Sequence, residues 1–371
     1  MKICFLSDPR YLHTQRWARF LAERGHEVHI IGGRVVDHRP SAEIPIHFLD
    51  DAKFRGPWIL RTTLALARLL REVGPDILHM HYLAGLPAPV FLMFRPFVVS
   101  VWGADILGEK GLAVEGRKVR VLKTLVLRRA HAVLASSSFL AAATRRYAGL
   151  RPSRVSVYPW GVDLNQFQPV PRAGSSPGSH APIVIGLVKH LEPKYGVEYL
   201  LRAIPGIRAR HPAIRVVIVG NGSLRAQLEH MAASLSVSDV VSFCGEVSHE
   251  QVPRYMADMD IFVMPSVHES ETFGVAAVEA QAMGIPVVAT RIGGVPEAVL
   301  ENRSALLVPP RDPGALSQAV VRLIEDPELR RSMSREGRGF VERCYDWRRN
   351  AGRVEALYAQ LLSRSPAAEG D

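Results

Sequence analysis

Short β-branched or apolar runs alternate along the whole chain with longer amphipathic stretches, and this alternation restricts the fold to βαβ units built on parallel sheets. In the first half the expected strands are residues 2–6, 27–31, 77–81, 97–101 and 132–135; in the second they are 183–187, 215–219, 241–244, 261–264 and 286–289. The intervening helices have readable ends. In HTQRWARFLAERG, Trp17, Phe20 and Leu21 make an apolar face and Gly25 supplies the C-terminal stop. RDPGALSQAVVRLIEDPELRRSM reads as two consecutive helices, with Asp312 capping the first ahead of Pro313. A chain of 371 residues fits two doubly wound domains at roughly 150 residues each. The composition break PRAGSSPGSHAP marks a linker over 171–182, so the expected domains are 1–170 and 183–345, followed by a last helix within 346–371. Ligands of open α/β sheets collect at the carboxyl ends of the strands, which makes a cleft between the domains the expected site.

Charge is distributed unevenly. Residues 1–170 hold 24 Lys+Arg against 13 Asp+Glu, and the remainder hold 22 against 23, so the formal net charge of +10 belongs to the first domain and an anionic partner should meet it there. Cys4, Cys244 and Cys344 are too widely spaced for a disulfide framework or a zinc site, which suits a reducing compartment and a cytoplasmic location. The opening MKICFLSDPR lacks the apolar length of a secretory signal. The longest uncharged stretch, 77–94, approaches the length of a membrane span, but its two histidines, two prolines and glycine favour a strand, a loop and a buried helix start.

The chemistry concentrates in PSVHESETFGVAAVEAQAMGIPVVATRIGGVPEAV, residues 265–299, where Glu271 and Glu279 stand eight positions apart. A helix beginning near Gly274 and running through Met283 would leave Glu271 on a loop. The amides about Thr272, Phe273 and Gly274 would then be helix N-terminal donors suited to phosphate. Glu279 would lie about 7.5 Å further along the helix, the reach from a nucleotide's diphosphate to its ribose diol. The plain alternative is a solvated loop glutamate and a helix-surface glutamate. VGNGSLR follows an expected strand, and Gly220 and Gly222 permit a close backbone approach there. Gly293 and Gly294 suggest a second such turn.

ESETFGVAAVE is similar to the glutamate-pair motif of the GT-B retaining glycosyltransferases of family 4. The resemblance continues through GHEVHII, PDILHMH, SVWGADIL, YPWGVDLNQF, LVKHLEPKYGVEYL and VGNGSLR in the same order. It implies two Rossmann-like domains facing across a cleft, with a nucleotide diphosphate sugar held by the second and the acceptor by the basic first. It also implies that the last helix packs back on the first domain. Glu271 would hold hydroxyls of the donor sugar, Glu279 the ribose diol, and Lys189 and Lys194 the diphosphate, where two cations stabilise the charge gathered by the leaving group. Gly222 and Val247 would complete the donor contacts. No metal or other cofactor is expected; the nucleotide sugar, linked to UDP or GDP, is a co-substrate. The implied reaction is hexosyl transfer with retention, without a hydrolase-type carboxylate pair, to a glycan, lipid-linked or small-molecule hydroxyl, as in polysaccharide or glycolipid biosynthesis.

This chain departs from the pattern in the first domain. Relatives carry histidine where Trp102 stands, and an indole can stack on a sugar or pack in a core but cannot accept a proton. The first loop, SDPRYLHTQRW, lacks paired glycines, which leaves Asp8 and His13, with Trp102 and Asp105, as candidates for acceptor or sugar contact. His13 reads equally as an ordinary helix-start residue. Asp258 and Asp260 have the spacing of an Asp-x-Asp metal motif but fall between a helix and a buried strand; His79 and His81 share a strand face without a third ligand. GRKVRVLKTLVLRRA interleaves basic and apolar residues as a helix able to lie on anionic lipid does, and peripheral contact at the inner face of a membrane follows as an expectation. No nucleic acid is expected as a partner. The competing functional readings are a UDP-sugar 2-epimerase, a phosphorylase or a catalytically inactive scaffold on the same architecture. A dinucleotide oxidoreductase is disfavoured because no GxGxxG follows the first strand.

Overall fold

The computed structural model describes residues 1–32, 44–49, 57–83, 94, 96–108, 116–170 and 181–364. They divide into two compact units, Met1–Pro159 with the segment from Arg348 onward, and Trp160–Trp347.

The first unit runs β1 (Lys2–Leu6), α1 (Leu12–Glu23), β2 (Glu27–Gly32), β3 (Ile46–Phe48), α2 (Trp58–Val73), β4 (Ile77–His81), β5 (Phe97–Val101), α3 (Ala104–Leu107), α4 (Arg117–Arg129), β6 (Ala132–Ala135), α5 (Ser138–Ala148) and β7 (Val155–Val157). Its strands form one parallel sheet in the order β3-β2-β1-β4-β5-β6-β7. Ile3 pairs with both Val28 and Ile77, so the chain winds outward in both directions from β1 and β4. Every residue of β4 is buried, as expected of a central parallel strand covered on both faces. One covering layer is apolar: Leu66 and Leu70 of α2, Val126 and Leu127 of α4 and Leu140 of α5 share a core with the sheet.

The second unit runs β8 (Ile183–Val188), α6 (Val197–Arg210), β9 (Ile214–Val219), α7 (Arg225–Ser234), β10 (Val241–Gly245), α8 (Val252–Met256), β11 (Ile261–Met264), α9 (Val275–Ala282), β12 (Val287–Thr290), β13 (Ala305–Val308), α10 (Pro313–Glu325) and α11 (Pro327–Cys344). Its parallel sheet has the order β10-β9-β8-β11-β12-β13. Alternation along β11 divides the core: Phe262 and Met264 join the cluster with Ala277, Val278 and Val341, whereas Ile261 and Val263 join the one with Leu200, Ile204, Leu316 and Val320. The side chains of Asp312 and Asp326 accept from Ala315 N and Leu329 N at 2.8 Å each, which caps α10 and α11 and separates them at Pro327.

The last helix, α12 (Trp347–Arg364), groups with the first unit from Arg348 onward. Its Tyr358 hydroxyl bonds His79 Nδ1 inside that unit, and Glu355 pairs with Arg24 at 2.6 Å and His26 at 2.8 Å. The chain first changes unit at Pro159/Trp160, ahead of the boundary expected at 170, because Val162 and Phe167 are buried in the second unit's core. Residues 171–180 of the expected linker lie outside the described residues, as do 84–93 of the long uncharged stretch.

Asp260 has a structural task. Its Oδ2 accepts from Val184 N at 2.8 Å while its own N–H donates to Val184 O at 2.8 Å, so it fastens the start of β8. His79 and His81 are buried polar links: His79 Nε2 lies 2.8 Å from Ser100 Oγ, and His81 Nδ1 lies 3.0 Å from Thr14 Oγ1. Among the described residues no group of three or more His, Cys, Asp or Glu could hold a metal ion, and no helix is long and apolar enough to cross a membrane.

Candidate active site

In the second unit, loops at the carboxyl ends of β8, β11 and β12 hold the first group of candidates together. Lys189 directly follows β8, and its Nζ lies 2.7 Å from Glu271 Oε2, with 18% and 10% of the two side chains exposed. Burial works against the ammonium, but Glu271, with Tyr195 and Glu279 behind it, more than offsets this and holds the Lys189 pKa above its ordinary value. Glu271 Oε2 also accepts from Ser266 Oγ at 3.2 Å. The backbone of this loop is clamped by the turn after β12: Gly294 N donates to Glu271 O at 3.1 Å. A Cβ on Gly293, whose φ is +53°, would run into the Glu271 and Glu269 carbonyls.

Lys194 O accepts from Val267 N at 2.9 Å, which ties the lysine's loop to the segment after β11. The Tyr195 ring carries both cations, with Lys189 Nζ 4.6 Å and Lys194 Nζ 5.1 Å from its centroid. Gly222 packs closely against the loop after β8. A Cβ there would sit 2.5 Å from Leu191 O, and one on Gly220 would strike Lys189 O, so these glycines let the β9 turn press against the loop that carries Lys189. Leu191 N donates to Asn221 O at 2.9 Å across the same contact.

Gly274, with φ +79° and ψ +53°, opens α9 at Val275, and the helix ends at Ala282, one residue short of the expected Met283. Six residues of α9 besides Glu279 are buried, so that carboxylate, 5% exposed, faces protein. Its Oε1 lies 2.8 Å from His249 Nε2. The His249 ring packs against Phe167 with centroids 5.5 Å apart, and Gln166 Nε2 donates to His249 O at 3.0 Å. Val247, on the same loop, is half-buried against the core. Phe273 turns its side chain into that core, edge-on to Tyr345 at 5.1 Å, and Thr272 is buried beside it, so what this stretch can offer a ligand is its backbone.

In the first unit, both oxygens of Asp105 accept from backbone N–H groups. Oδ2 accepts from Leu83 N at 2.9 Å, and Oδ1 accepts from Trp102 N at 3.0 Å and Gly103 N at 2.8 Å. Burial raises its pKa against the pull of those three N–H groups. Asp8 is likewise engaged: Arg10 grips both its oxygens, the shortest contact being 2.6 Å, and this holds its carboxyl below the ordinary value. Trp102 lies in an aromatic group, with ring centroids 5.2 Å from Tyr11, 5.6 Å from His13, 5.7 Å from His81 and 5.8 Å from Tyr82. His13 sits on the first turn of α1, edge-on to that indole.

Two family profiles match the chain, glycosyl transferases group 1 over residues 175–340 and glycosyl transferase 4-like over 2–137. A D-inositol 3-phosphate glycosyltransferase of Corynebacterium urealyticum is 31% identical over 307 residues, covering 77% of this chain and 72% of that protein. The chain belongs to the group 1 glycosyltransferases of family 4. A GDP-mannose-dependent alpha-(1-6)-phosphatidylinositol monomannoside mannosyltransferase of Mycolicibacterium smegmatis is 34% identical over 215 residues, 55% of each chain. The chain spans only about half the length of several curated relatives that it matches. The fold is GT-B: sucrose-phosphate synthase from Thermosynechococcus elongatus superposes with a TM-score of 0.82 at 22% identity, covering 98% of this chain and 99% of that one.

Two side chains beside the candidate residues escape a reading of the sequence. Tyr195 lies beside Lys194 in the motif, and its aromatic character between two expected phosphate-binding cations was the available signal. His249 carries none, since a single histidine after a strand has no spacing relation to Glu279, thirty positions away.

Proposed function

We propose that the protein transfers a hexosyl group, with retention, from a nucleoside diphosphate sugar to an acceptor hydroxyl. The observation that carries this reading is the half-buried Lys189–Glu271 pair, set on loops at the carboxyl edge of the second unit's sheet. Lys189 and Lys194 would take the donor's diphosphate and Glu271 the hydroxyls of its sugar. Lys189 and Glu271 pair with each other, so each holds the other's charge in place for a ligand. Glu279 would accept from the ribose diol, and the backbone of Thr272, Phe273 and Gly274 would face the phosphates.

Retention without a nucleophilic carboxylate calls for displacement on one face. The bond from the anomeric carbon to the phosphate oxygen breaks with its electron pair on the phosphate. The acceptor oxygen bonds to the same face, and its proton passes to the departing phosphate oxygen. No metal ion is required, because the two lysines carry the compensating charge. Relatives named for inositol phosphate and for a phosphatidylinositol mannoside favour a polyol or lipid-linked acceptor, met by the basic first unit. Trp102 and His13 belong to the aromatic group there that suits the apolar face of such a ring. The basic helix α4 would bring the first unit to an anionic membrane at the cytoplasmic face.

Calorimetric titration of UDP and GDP into the wild type and Glu279→Ala tests the donor site. One nucleotide should bind, weakened about tenfold or more by the substitution, as expected for charge-assisted bonds. Turnover of UDP-glucose or GDP-mannose should fall about a hundredfold or more in Lys189→Ala, Lys194→Ala and Glu271→Ala, on the scale of a lost oxyanion donor. Near wild-type rates in those variants with the fold intact would sink the assignment.

A further inference from the structure

Glu279 has a partner that its expected task does not require. His249 reaches it from the loop between β10 and α8; Phe167 packs against the imidazole, and the Gln166 side chain donates to the His249 carbonyl. His249 Nε2 lies 2.8 Å from Glu279 Oε1, and a hydrogen on that nitrogen points at the carboxylate oxygen.

We infer that His249 is a positioning residue that orients the Glu279 carboxylate for the 2′- and 3′-hydroxyls of the donor nucleotide. The inference rests on the proposed role of Glu279 as the ribose partner. A carboxylate offers about four lone-pair sites. One is taken by His249, which leaves enough for two ribose hydroxyls while removing the rotation about the last side-chain bond that a free carboxylate would lose on binding. The donor therefore meets an acceptor pair already aimed, and the gain appears as affinity. The loop that carries His249 also carries Val247, so the same bond joins a half-buried segment expected to contact the donor to the helix expected at the ribose.

The test compares UDP and GDP with their 2′,3′-dideoxy forms by calorimetry on the wild type, His249→Ala, His249→Gln and Glu279→Ala, with thermal melts to confirm folding. His249→Ala should weaken the ribonucleotide by about three- to tenfold, the effect of one ordinary hydrogen bond, and leave the dideoxy form nearly unaffected. His249→Gln keeps a donor and should recover part of the loss. Equal weakening of both nucleotide forms by His249→Ala would mean that the residue merely supports its loop, and the inference falls. If Glu279→Ala in turn weakens both forms alike, the ribose role of Glu279 falls too. If Glu279→Ala abolishes the preference for the diol and His249→Ala does not touch it, only the positioning role is lost.

Discussion

Asp105 and Glu279 are both buried carboxylates, 4% and 5% exposed, yet their oxygens are engaged differently. Asp105 spends both oxygens on backbone N–H groups that shape the turn after β5 and the start of the loop after β4. Glu279 meets one imidazole and keeps the rest of its accepting capacity. Asp105→Ala should therefore destabilise the first unit by about 2–4 kcal/mol, because three N–H groups lose a charged acceptor in a buried turn. Urea unfolding should report that loss while nucleotide binding by the second unit persists. A fully stable variant with impaired acceptor turnover would instead restore Asp105 to the substrate. The identity of each acidic residue was legible in the sequence, and so was the motif around Glu271 and Glu279. What could not be read was which oxygens are already satisfied, since that depends on backbone groups and side chains from remote segments such as Leu83 and His249.

Among the elements, strands with long apolar runs and helices with side-chain caps declared themselves. β4, β5 and β11 fall at their expected bounds, and Asp312 caps α10 as its spacing requires. β3 and β7 escaped because three residues are too few for an alternation to stand out, and β13 because its register comes from Val287 and its neighbours in β12. α4 is the element whose surface asks for a partner. Val126 and Leu127 are buried, whereas Val119, Val121 and Leu125 are 43%, 53% and 42% exposed among Arg117, Lys118 and Arg120. Helix propensity alone would not place valines in water beside so many cations. On the membrane reading, sedimentation with vesicles rich in anionic lipid should exceed that with neutral vesicles, and Val121→Asp with Leu125→Asp should reduce it severalfold. Sedimentation indifferent to both lipid charge and substitution would leave α4 a solvated face.

At the scale of the whole molecule, the last helix is part of the first unit's interior. Tyr358 is fully buried against His79, whose pKa burial lowers from 6.5 to about 3, and His81 beside it is pushed well down for the same reason. Both imidazoles are neutral in the folded chain and gain a proton on unfolding below about pH 6.5. Stability is therefore complete above that value and falls as pH drops below it, for His79 down to about 3, by up to about 1.4 kcal/mol per pH unit, and His81 adds a loss of the same sign. His79→Phe should start less stable at pH 7, since Tyr358 and Ser100 lose a partner, but its urea midpoint should decline less steeply between pH 6 and 4. An unchanged slope would contradict a neutral buried His79. The two crossings between units also lie side by side, with Val162 N donating to Tyr345 O at 2.8 Å and Trp347 N to Val162 O at 3.0 Å. The second unit is thus an insertion within the first. During synthesis every strand of the second unit leaves the ribosome before Tyr358 does, so the unit begun first is finished last, and a nascent chain arrested just after Trp347 would hold a complete second unit while the first is still open at His79.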